Sequence, residues 1–428
     1  MLKENVFWLD TVEMPSGHEQ IPLPEKVDVA IIGGGYTGLT AAWTLAKRGL
    51  RAAVLEAESI GWGASARNGG MVLTGLKIPL QTAIKRYGRE MARRLFQCSL
   101  ETIDLVEQIV REENIQCGFA RTGHLLAANK PKHYDALAAE VDFMAKEFGH
   151  AVRLVPRQEQ RSEIGSDLYY GALVDEASAG LNPAQYVAGL AGAAEKAGAT
   201  LHARARVGRL GRRERRFYVE TERGALTAEQ VLVATNGYTT SITPQLRRRI
   251  IPLGSYIIAT EPLPDKLAHE LSPHNRMIFD FKHFINYFRL SDDQRMIFGG
   301  RAAFFPETGQ TVRQSAEILR SQMAQVYPQL RDATVEYAWG GTLAFPFDLM
   351  PHAGEMDGMY YALGYAGHGV AMATWLGKTV AKAMLDGTIK EHLFAGFPFP
   401  GAPLGLYRDK AWFLPLVGAW HRFLDVIE

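Results

Sequence analysis

A glycine-rich turn between two apolar segments near the N-terminus constrains the fold of this chain more than any other feature. The predicted buried strand at 27–32 is followed by the sequence GGGYTG at 33–38 and by an amphipathic helix. The first glycine permits a tight turn, the third lets the backbone approach a pyrophosphate, and the last lets the helix pack closely on the sheet. The phosphates would then lie at a helix N-terminus, where free N–H groups favour an anion. This turn supplies the first predicted cofactor contacts, from Gly33, Gly35, Tyr36, Thr37 and Gly38.

An acidic residue follows the second apolar segment at the expected distance. Glu56 ends the predicted strand at 50–56, about 20 residues beyond the glycine turn, where a carboxylate binds a ribose hydroxyl in dinucleotide-binding proteins. The 2′-hydroxyl must then be free, which implies FAD or NAD rather than NADP. The flanking strands and the helix favour this interpretation over a glycine-rich turn in an unrelated α/β protein.

The composition is that of a globular protein large enough for two domains, with 428 residues of which 47% are hydrophobic. A formal net charge of +1 argues against nucleic acid as a partner. The basic stretch at 209–216 is interrupted by glutamate and predicts a solvated hairpin turn. Cys98 and Cys117 lack metal-ligand or redox spacing, so we expect no metal site and reduced thiols in a cytoplasmic protein.

The two ends of the chain differ in character. Residues 1–20 lack the pattern of a secretory signal, and no apolar run is long enough to cross a bilayer. Residues 411–427 are rich in aromatic and aliphatic side chains and predict a helix broken by Pro415. We expect this helix to dock on the protein's own core, and peripheral contact with a membrane surface is the alternative.

Four segments together resemble the D-amino-acid oxidase-like family of flavoproteins, which includes glycine, sarcosine and γ-glutamylputrescine oxidases. They are the glycine turn with Glu56, the loop GWGASARNGG at 61–70, ATNGYT at 234–239 and GYAGHGV at 364–370. The loop and the sequence WFLPL at 412–416 look most like the γ-glutamylputrescine oxidase branch. The resemblance covers most of the chain. It implies a Rossmann-like FAD-binding domain of the GR2 type with an inserted antiparallel-sheet substrate domain. The fold class would be α/β, and the chain as a whole would be α+β. The boundaries we expect are 1–80, 150–248 and 335–390 for the FAD domain, 81–149 and 249–334 for the substrate domain, and 391–428 for a C-terminal tail.

The resemblance also implies how FAD is bound. The 61–70 loop would wrap the pyrophosphate and the flavin edge, with Ser65, Arg67 and Asn68 as donors. The 367–370 turn would lie beside the pyrimidine ring, and the helix after it would direct its positive end at N1 and the C2 carbonyl. No cysteine follows Cys117, so the flavin should be noncovalent. The remaining predicted contacts are Ala57, Gly63, Ala64, Gly69, Gly70, Met71, Val207, Ala234, Thr235, Asn236, Gly237, Gly340, Gly364, Gly367, His368, Gly369 and Val370.

Four side chains are candidates for the chemistry. His368 is either a base or a group that packs on the flavin, and a base is not obligatory because positioning carries much of amine oxidation. Arg301 stands near the place where fast-reacting oxidases of the family carry a lysine. Tyr287 and Arg289 share one strand face, where an arginine could clamp a carboxylate and aromatic rings could surround an amine. The alternative is that Arg289 is a surface charge and that its neighbour Phe288 belongs to the core.

The expected activity is removal of a hydride from the carbon next to a substrate nitrogen, giving an imine that hydrolyses while O2 is reduced to H2O2. A γ-glutamylated polyamine is the first expected substrate class, by resemblance. One alternative is a dehydrogenase of amino acids or 2-hydroxy acids that passes electrons to a quinone or carrier at a membrane surface. Another is a flavin-binding protein without catalytic activity. The oligomeric state stays open.

Overall fold

The computed structural model describes residues 2–282, 285–303, 308–402, 405 and 407. Over these residues the strands are β1 Lys26–Ile32, β2 Ala52–Leu55, β3 Met71–Val72, β4 His124–Ala127, β5 Arg153–Pro156, β6 Gly171–Asp175, β7 Ala179–Gly180, β8 Thr200–His202, β9 Val207–Arg213, β10 Arg216–Thr221, β11 Gly224–Val233, β12 Ile250–Pro262, β13 Met277–Asp280, β14 Tyr287–Leu290, β15 Arg295–Ala303, β16 Val335–Pro346, β17 His352–Met356 and β18 Met359–Leu363. The helices are α1 Tyr36–Ala46, α2 Ala64–Arg67, α3 Leu80–Tyr87, α4 Arg89–Glu112, α5 Pro131–Phe148, α6 Pro183–Lys196, α7 Pro244–Arg247, α8 Asp265–Leu271, α9 Gly309–Val326 and α10 Gly369–Asp386.

The first sheet has the strand order β17-β18-β11-β1-β2-β8, and the β9–β10 hairpin pairs onto β11. Strand β1 is parallel to both β2 and β11, with Ile31 opposite Val54 on one side and Leu232 on the other. Helices α1, α6 and α10 pack together and contribute to the largest apolar core. The predicted βαβ unit and Rossmann-like class are confirmed, and the carboxyl ends of the central parallel strands meet at one edge.

The second sheet is mainly antiparallel, in the order β16-β12-β15-β14-β13-β4-β6-β5. Helix α9 packs against β12, β15 and β16, and its apolar face joins a separate core that includes Phe288 and Phe298. Helix α5 lies against β5 and β6 and contributes to a smaller apolar cluster with Leu137 and Leu173. This sheet faces the carboxyl edge of the first one across the cavity described below.

The structure differs from the predicted domain boundaries at three places. Strands β5 and β6 fall inside 150–248, yet they pair with each other and with β4 in the second sheet. Strand β16 falls inside 335–390, yet it pairs with β12. Helix α4 falls inside 81–149, yet it packs against α10 in the first core. These pairings join distant segments, so hydrophobic periodicity within one segment does not reveal them.

Several local expectations are met and one is refined. Helix α6 begins after Asn182, whose side-chain oxygen accepts hydrogen bonds from the N–H groups of Ala184 and Gln185. The basic stretch at 209–216 does belong to a hairpin, but most of it forms β9, and the turn itself is confined to residues 214–215. No helix among the described residues is long and apolar enough to span a membrane. The predicted C-terminal helix at 411–427 lies outside the described residues.

Candidate active site

A cavity of about 1900 Å³ connects the two sheets. It begins at the carboxyl ends of β1, β2 and β11, where Ile32, Leu55 and Ala234 line it, and it reaches Leu126 and Asp280 of the second sheet. Pockets for small ligands usually measure about 300–1,000 Å³, so this volume can hold a dinucleotide together with a second molecule. The predicted cofactor residues that line it are Gly33, Gly35, Tyr36, Thr37, Glu56, Ala57, Gly63, Ala64, Ser65, Arg67, Asn68, Gly69, Met71, Val207, Ala234, Thr235, Asn236, Gly367, His368, Gly369 and Val370.

Five of the predicted contact glycines do not line the cavity and instead shape its wall. A Cβ at Gly38 would lie 1.9 Å from the carbonyl oxygen of Gly33, so this glycine permits close packing of α1 on the turn. A Cβ at Gly70 would lie 2.0 Å from the Leu181 carbonyl oxygen. The other three contact neighbouring elements: a Cβ at Gly237 would meet Thr342, the Gly340 carbonyl accepts from Arg67, and the Gly364 N–H donates to Asn236 Oδ1. These five glycines thus shape the wall of the cavity, and their contact with the cofactor stays a prediction.

Glu56 is fixed at the carboxyl end of β2 by two backbone donors. Its Oε2 accepts a hydrogen bond of 2.7 Å from the N–H of Gly34, and its Oε1 accepts one of 3.0 Å from the N–H of Glu58. Burial raises the pKa of this carboxyl, and the backbone donors oppose that shift. A carboxylate oxygen accepts more than one hydrogen bond, so the group can also receive a ribose hydroxyl from the cavity.

The loop at 61–70 is held across the start of α1 by its own side chains. Ser65 Oγ accepts a hydrogen bond of 3.0 Å from the Tyr36 N–H, which leaves the Ser65 hydroxyl hydrogen free to donate. The Asn68 amide nitrogen donates to the carbonyl oxygens of Ala64 and Ser65, and its Oδ1 accepts from the Gly70 N–H. The amide hydrogens of Asn68 thus bond the loop itself, and donation from Asn68 to the cofactor stays a prediction.

Arg67 connects this loop to the second sheet. Its Nε donates to the Trp62 carbonyl at 2.8 Å, its Nη1 donates to the Gly340 carbonyl at 3.1 Å, and the guanidinium lies over the Trp62 ring. Two of its donor groups thus bond backbone of the protein. Arg67 therefore joins the loop to β16 as well as lining the cavity, which is more than the donation to phosphate that we expected.

These features fit an FAD molecule. The N-terminus of α1 opens into the cavity beside Gly35. A Cβ at this position would lie 2.7 Å from Ser65 Oγ, so a glycine is needed here to leave room for phosphates at the helix N-terminus. Glu56 stands at the next strand, in the position for a ribose. Helix α10 begins at Gly369 on the cavity wall, and its N–H groups can face a flavin carbonyl.

His368 lines the cavity immediately before α10. Its backbone N–H donates to the Tyr365 carbonyl at 2.9 Å, and its Nδ1 has no hydrogen-bond partner among the residues the structure describes. Burial, with the nearby Lys77 charge, lowers the pKa of His368 to about 3. The imidazole is therefore neutral near pH 7 and too weak a base to hold a proton taken from an ammonium, which favours the packing alternative.

Tyr287 and Arg289 occupy different environments although they share a strand face. The Tyr287 hydroxyl lies 3.1 Å from Ser255 Oγ, its ring covers Gly299 and faces the cavity, and burial raises its pKa to about 12. Arg289 is buried, does not line the cavity, and donates weakly to the Gly70 carbonyl at 3.4 Å while lying over Trp8. The structure does not bring Arg289 to the cavity wall, because the β3–β7 ladder covers it.

The remaining candidates are distributed over three settings. Phe288 is core, as its alternative interpretation expected. Arg301 lies on β15, and the structure does not describe its side chain. His352 is buried against Phe399 and bonded to Asp348 outside the cavity.

Sequence reasoning missed a polar group on the substrate side of the cavity. Thr74 Oγ1 donates to Asp175 Oδ2 at 2.8 Å, and His150 Nε2 lies 3.0 Å from the same oxygen. Burial opposes ionisation of Asp175, but the hydrogen bond with His150, the nearby His124 and the Ala177 N–H lower its pKa to about 2. His124 Nδ1 lies 2.7 Å from Ser178 Oγ. These residues come from separate segments with no common motif, so only the fold brings them together.

The far end of the cavity has an apolar wall, with Gln81 and Glu140 beside it. Its walls come from α4, α5 and the adjoining strands β4 and β6. The side chains that line it are Phe96, Leu126, Leu137, Phe143, Met144 and Leu173. A ligand that reaches this end can bury a hydrocarbon segment there.

Comparison with known proteins decides the family. The model of the FAD dependent oxidoreductase family, DAO, matches residues 28–383, which span the glycine turn, the loop at 61–70 and the start of α10. The chain belongs to this family. FAD is accordingly the cofactor of this DAO-family protein, an oxidoreductase whose relatives act on amines and amino acids.

Relatives of this DAO-family chain cover nearly its full length. It is 32% identical over 408 residues to the probable oxidoreductase OrdL of Haemophilus influenzae, covering 94% of this chain and 92% of that protein. It is 31% identical over 379 residues to gamma-glutamylputrescine oxidoreductase of Escherichia coli, covering 87% and 88%. In structure it resembles glycine oxidase from Geobacillus kaustophilus, with a TM-score of 0.75, 20% identity and coverage of 89% and 100%. The last comparison confirms the fold.

Proposed function

We propose that this protein oxidises the C–N bond of an amine on an amino-acid-like substrate, with γ-glutamylated polyamines as the first class, and that O2 accepts the electrons. The observation that carries the proposal is the single cavity, which joins the dinucleotide-binding edge of the first sheet to a chamber under the second. The similarity to a gamma-glutamylputrescine oxidoreductase supports the substrate class.

The proposed reaction removes two electrons and two protons from the carbon–nitrogen unit, and the imine then reacts with water to give an aldehyde and ammonia. FAD, when bound, supplies the acceptor for the hydride, and O2 takes the two electrons and two protons to become H2O2. The chain's own contribution is positioning in an enclosed pocket. Tyr287 and His368 are both uncharged near neutral pH, so neither side chain opposes binding of a deprotonated amine.

The apolar chamber supports a substrate with a hydrocarbon segment. A polyamine linked through an amide to a γ-glutamyl group has such a segment between its polar ends. Phe143 and Met144 of α5 and Leu173 of β6 can cover the methylene groups, which would contribute roughly 0.8 kcal/mol for each CH₂ that becomes buried. Free putrescine places a second ammonium in this environment and should bind less well.

The test compares γ-glutamylputrescine, putrescine and free glutamate as substrates of the FAD-loaded protein. Oxygen consumption, H2O2, ammonia and aldehyde are measured together. We expect equal amounts of H2O2 and ammonia with γ-glutamylputrescine, and a kcat/KM at least about tenfold lower with putrescine. Absence of aldehyde and ammonia with every amine would overturn the proposal.

A dehydrogenase is the second candidate for the same site. The sequence RAAFF at 301–305 contains no lysine where fast-reacting oxidases of the resembled family carry one, which favours transfer of electrons to a quinone or carrier. In that case the amine would reduce the flavin, but air would restore its absorbance slowly and a soluble quinone would restore it quickly. Rapid recovery in air rejects this candidate.

A further inference from the structure

Lys77 is a charged side chain on the cavity wall for which the described residues provide no hydrogen bond and no ion pair. The other charged groups of the wall are occupied. Glu140 accepts from Gln81 at 2.7 Å, and Asp280 pairs with Lys282 at 3.3 Å. Arg206 pairs with Glu58, Asp175 is held by Thr74 and His150, and Lys130 also has a contact. Among the cationic side chains of the wall that the structure describes, Lys77 is the one without a hydrogen bond or an ion pair.

The loop that carries Lys77 is fastened to the substrate side of the cavity. The N–H of Thr74 donates to Ser178 Oγ at 3.1 Å, and the N–H of Gly75 donates to Ser99 Oγ at 2.8 Å. Ser178 lies between β6 and β7, and Ser99 belongs to α4. The Lys77 charge lowers the pKa of His368, so the ammonium lies near the turn before α10.

Lys77 is half-buried on the cavity wall, and partial burial of an ammonium without an anion beside it costs free energy. Burial lowers the pKa of Lys77, and no carboxylate among the described residues opposes this shift. A ligand that brings an anion to the ammonium would remove the cost. Lysine suits this role because its flexible stem lets a point charge adjust to an incoming group.

We propose that Lys77 binds a carboxylate of the amine substrate and thereby determines which amines this protein accepts. The inference rests on the proposed function. A phosphate of FAD is the other possible anion, but the phosphates are expected at the start of α1, and the Lys77 loop makes its hydrogen bonds to Ser99, Asp175 and Ser178 instead. The substrate carboxylate is therefore the better partner.

The first test combines two changes, one in the protein and one in the substrate. Lys77→Met removes the charge and keeps an unbranched side chain that is one atom shorter, and γ-glutamylputrescine is compared with its α-carboxamide. We expect Lys77→Met to lower kcat/KM for the carboxylate substrate on the order of 100-fold and for the carboxamide less than about threefold. Lys77→Arg should retain part of the preference. Lys132→Met, at an exposed lysine of α5, is the matched control and should change neither value.

The second test does not require turnover. Binding of propionate, glutarate and benzoate to the oxidised holoprotein is followed through the flavin absorbance, with the matching amides as neutral controls. We expect Lys77→Met to weaken the carboxylates at least about tenfold and to leave the amides unchanged. If no amine is oxidised by the natural protein, the proposed function fails, yet this binding experiment still decides the role of Lys77.

Two results would overturn the inference. An equal decrease in kcat/KM for the carboxylate and the carboxamide in Lys77→Met would mean that Lys77 does not bind the carboxylate. A weakened affinity for FAD in Lys77→Met, with the preference for carboxylate over carboxamide intact, would assign the ammonium to a phosphate. The melting temperatures of both Lys77 variants are compared with that of Lys132→Met. If Lys77→Met does not fold, the preference for carboxylate over carboxamide is measured in Lys77→Arg instead.

Discussion

Ser65 Oγ accepts a hydrogen bond from the backbone N–H of Tyr36 at 3.0 Å, and this contact ties the second glycine-rich loop to the first turn of α1. The same oxygen lies 2.7 Å from the position that a Cβ on Gly35 would occupy. The glycine therefore serves two purposes, since it lets the backbone approach the cofactor and lets the loop close over the helix. The two glycine-rich segments form one binding surface.

Loss of the Ser65 hydroxyl should weaken FAD binding. In Ser65→Ala the Tyr36 N–H loses its partner, and we expect the Kd for FAD to rise about tenfold because a missing hydrogen bond of this kind costs roughly 0.5–1.5 kcal/mol. Titration of the apoprotein with FAD measures this change. Ser162→Ala, at an exposed serine remote from the cavity, is the control. An unchanged Kd in Ser65→Ala would show that the contact does not support the cofactor.

Two helical glycines should respond to alanine in opposite directions. In Gly38→Ala the new Cβ would lie 1.9 Å from the Gly33 carbonyl oxygen, so we expect a loss of about 1–3 kcal/mol or more and poor retention of FAD. In Gly192→Ala, on the exposed side of α6 with no atom within 4 Å, we expect a gain of about 0.5–1 kcal/mol. Melting temperatures of both variants measure the difference, and a stable, FAD-replete Gly38→Ala protein would contradict this packing.

Removal of Arg289 should not change the preference for a carboxylate. The side chain lies behind the β3–β7 ladder, so Arg289→Met should leave the ratio of kcat/KM for γ-glutamylputrescine and its carboxamide within about twofold of the natural protein. Lys77→Met provides the contrast in the same assay. A large decrease in this ratio in Arg289→Met would show that Arg289 does bind the substrate carboxylate.

Acid should destabilise the protein partly through His392. Its Nδ1 accepts from the Phe394 N–H and its Nε2 contacts Thr379 Oγ1, while burial lowers its pKa from 6.5 to about 4. The unfolded chain takes up a proton below 6.5 and the folded protein does not until near 4, so stability falls as the pH decreases through this window. Urea unfolding at about pH 7.5 and about pH 5 measures the free energy of unfolding, which should decrease less between the two pH values in His392→Gln than in the natural protein. Equal losses would contradict the role of His392.

The flavin should be released when the protein unfolds. Both cysteines are buried and reduced, and burial raises the pKa of the Cys117 thiol to about 12, so neither is a reactive thiolate. Acid precipitation should therefore leave all the flavin in the supernatant, and Cys117→Ser should retain FAD. Flavin that stays with the precipitated chain would contradict noncovalent binding.

The sequence contained enough information for the cofactor half of the site because its signals are local. The turn at 33–38 and Glu56 each depend on neighbouring residues, and the structure has them in the predicted elements. Local signals did not reveal that Asn68 bonds its own loop. That outcome depends on the shape of the loop, which residue types alone do not fix.

The substrate half depends on long-range contacts, and there the prediction was weaker. Strand alternation correctly gave Tyr287 and Arg289 one face, but the ladder that hides Arg289 joins Met71 to Gly180, far away in the chain. Lys77 had no recognisable motif at all. It became a candidate only when the structure left its charge without a partner.

The most direct test of the account is the visible absorbance of the FAD-loaded protein, mixed without oxygen with amines, amino acids and 2-hydroxy acids. We expect an amine, γ-glutamylputrescine first, to bleach the flavin and 2-hydroxy acids to leave its absorbance unchanged. A bound flavin that dithionite reduces, but that no amine bleaches or that only 2-hydroxy acids bleach, would contradict it.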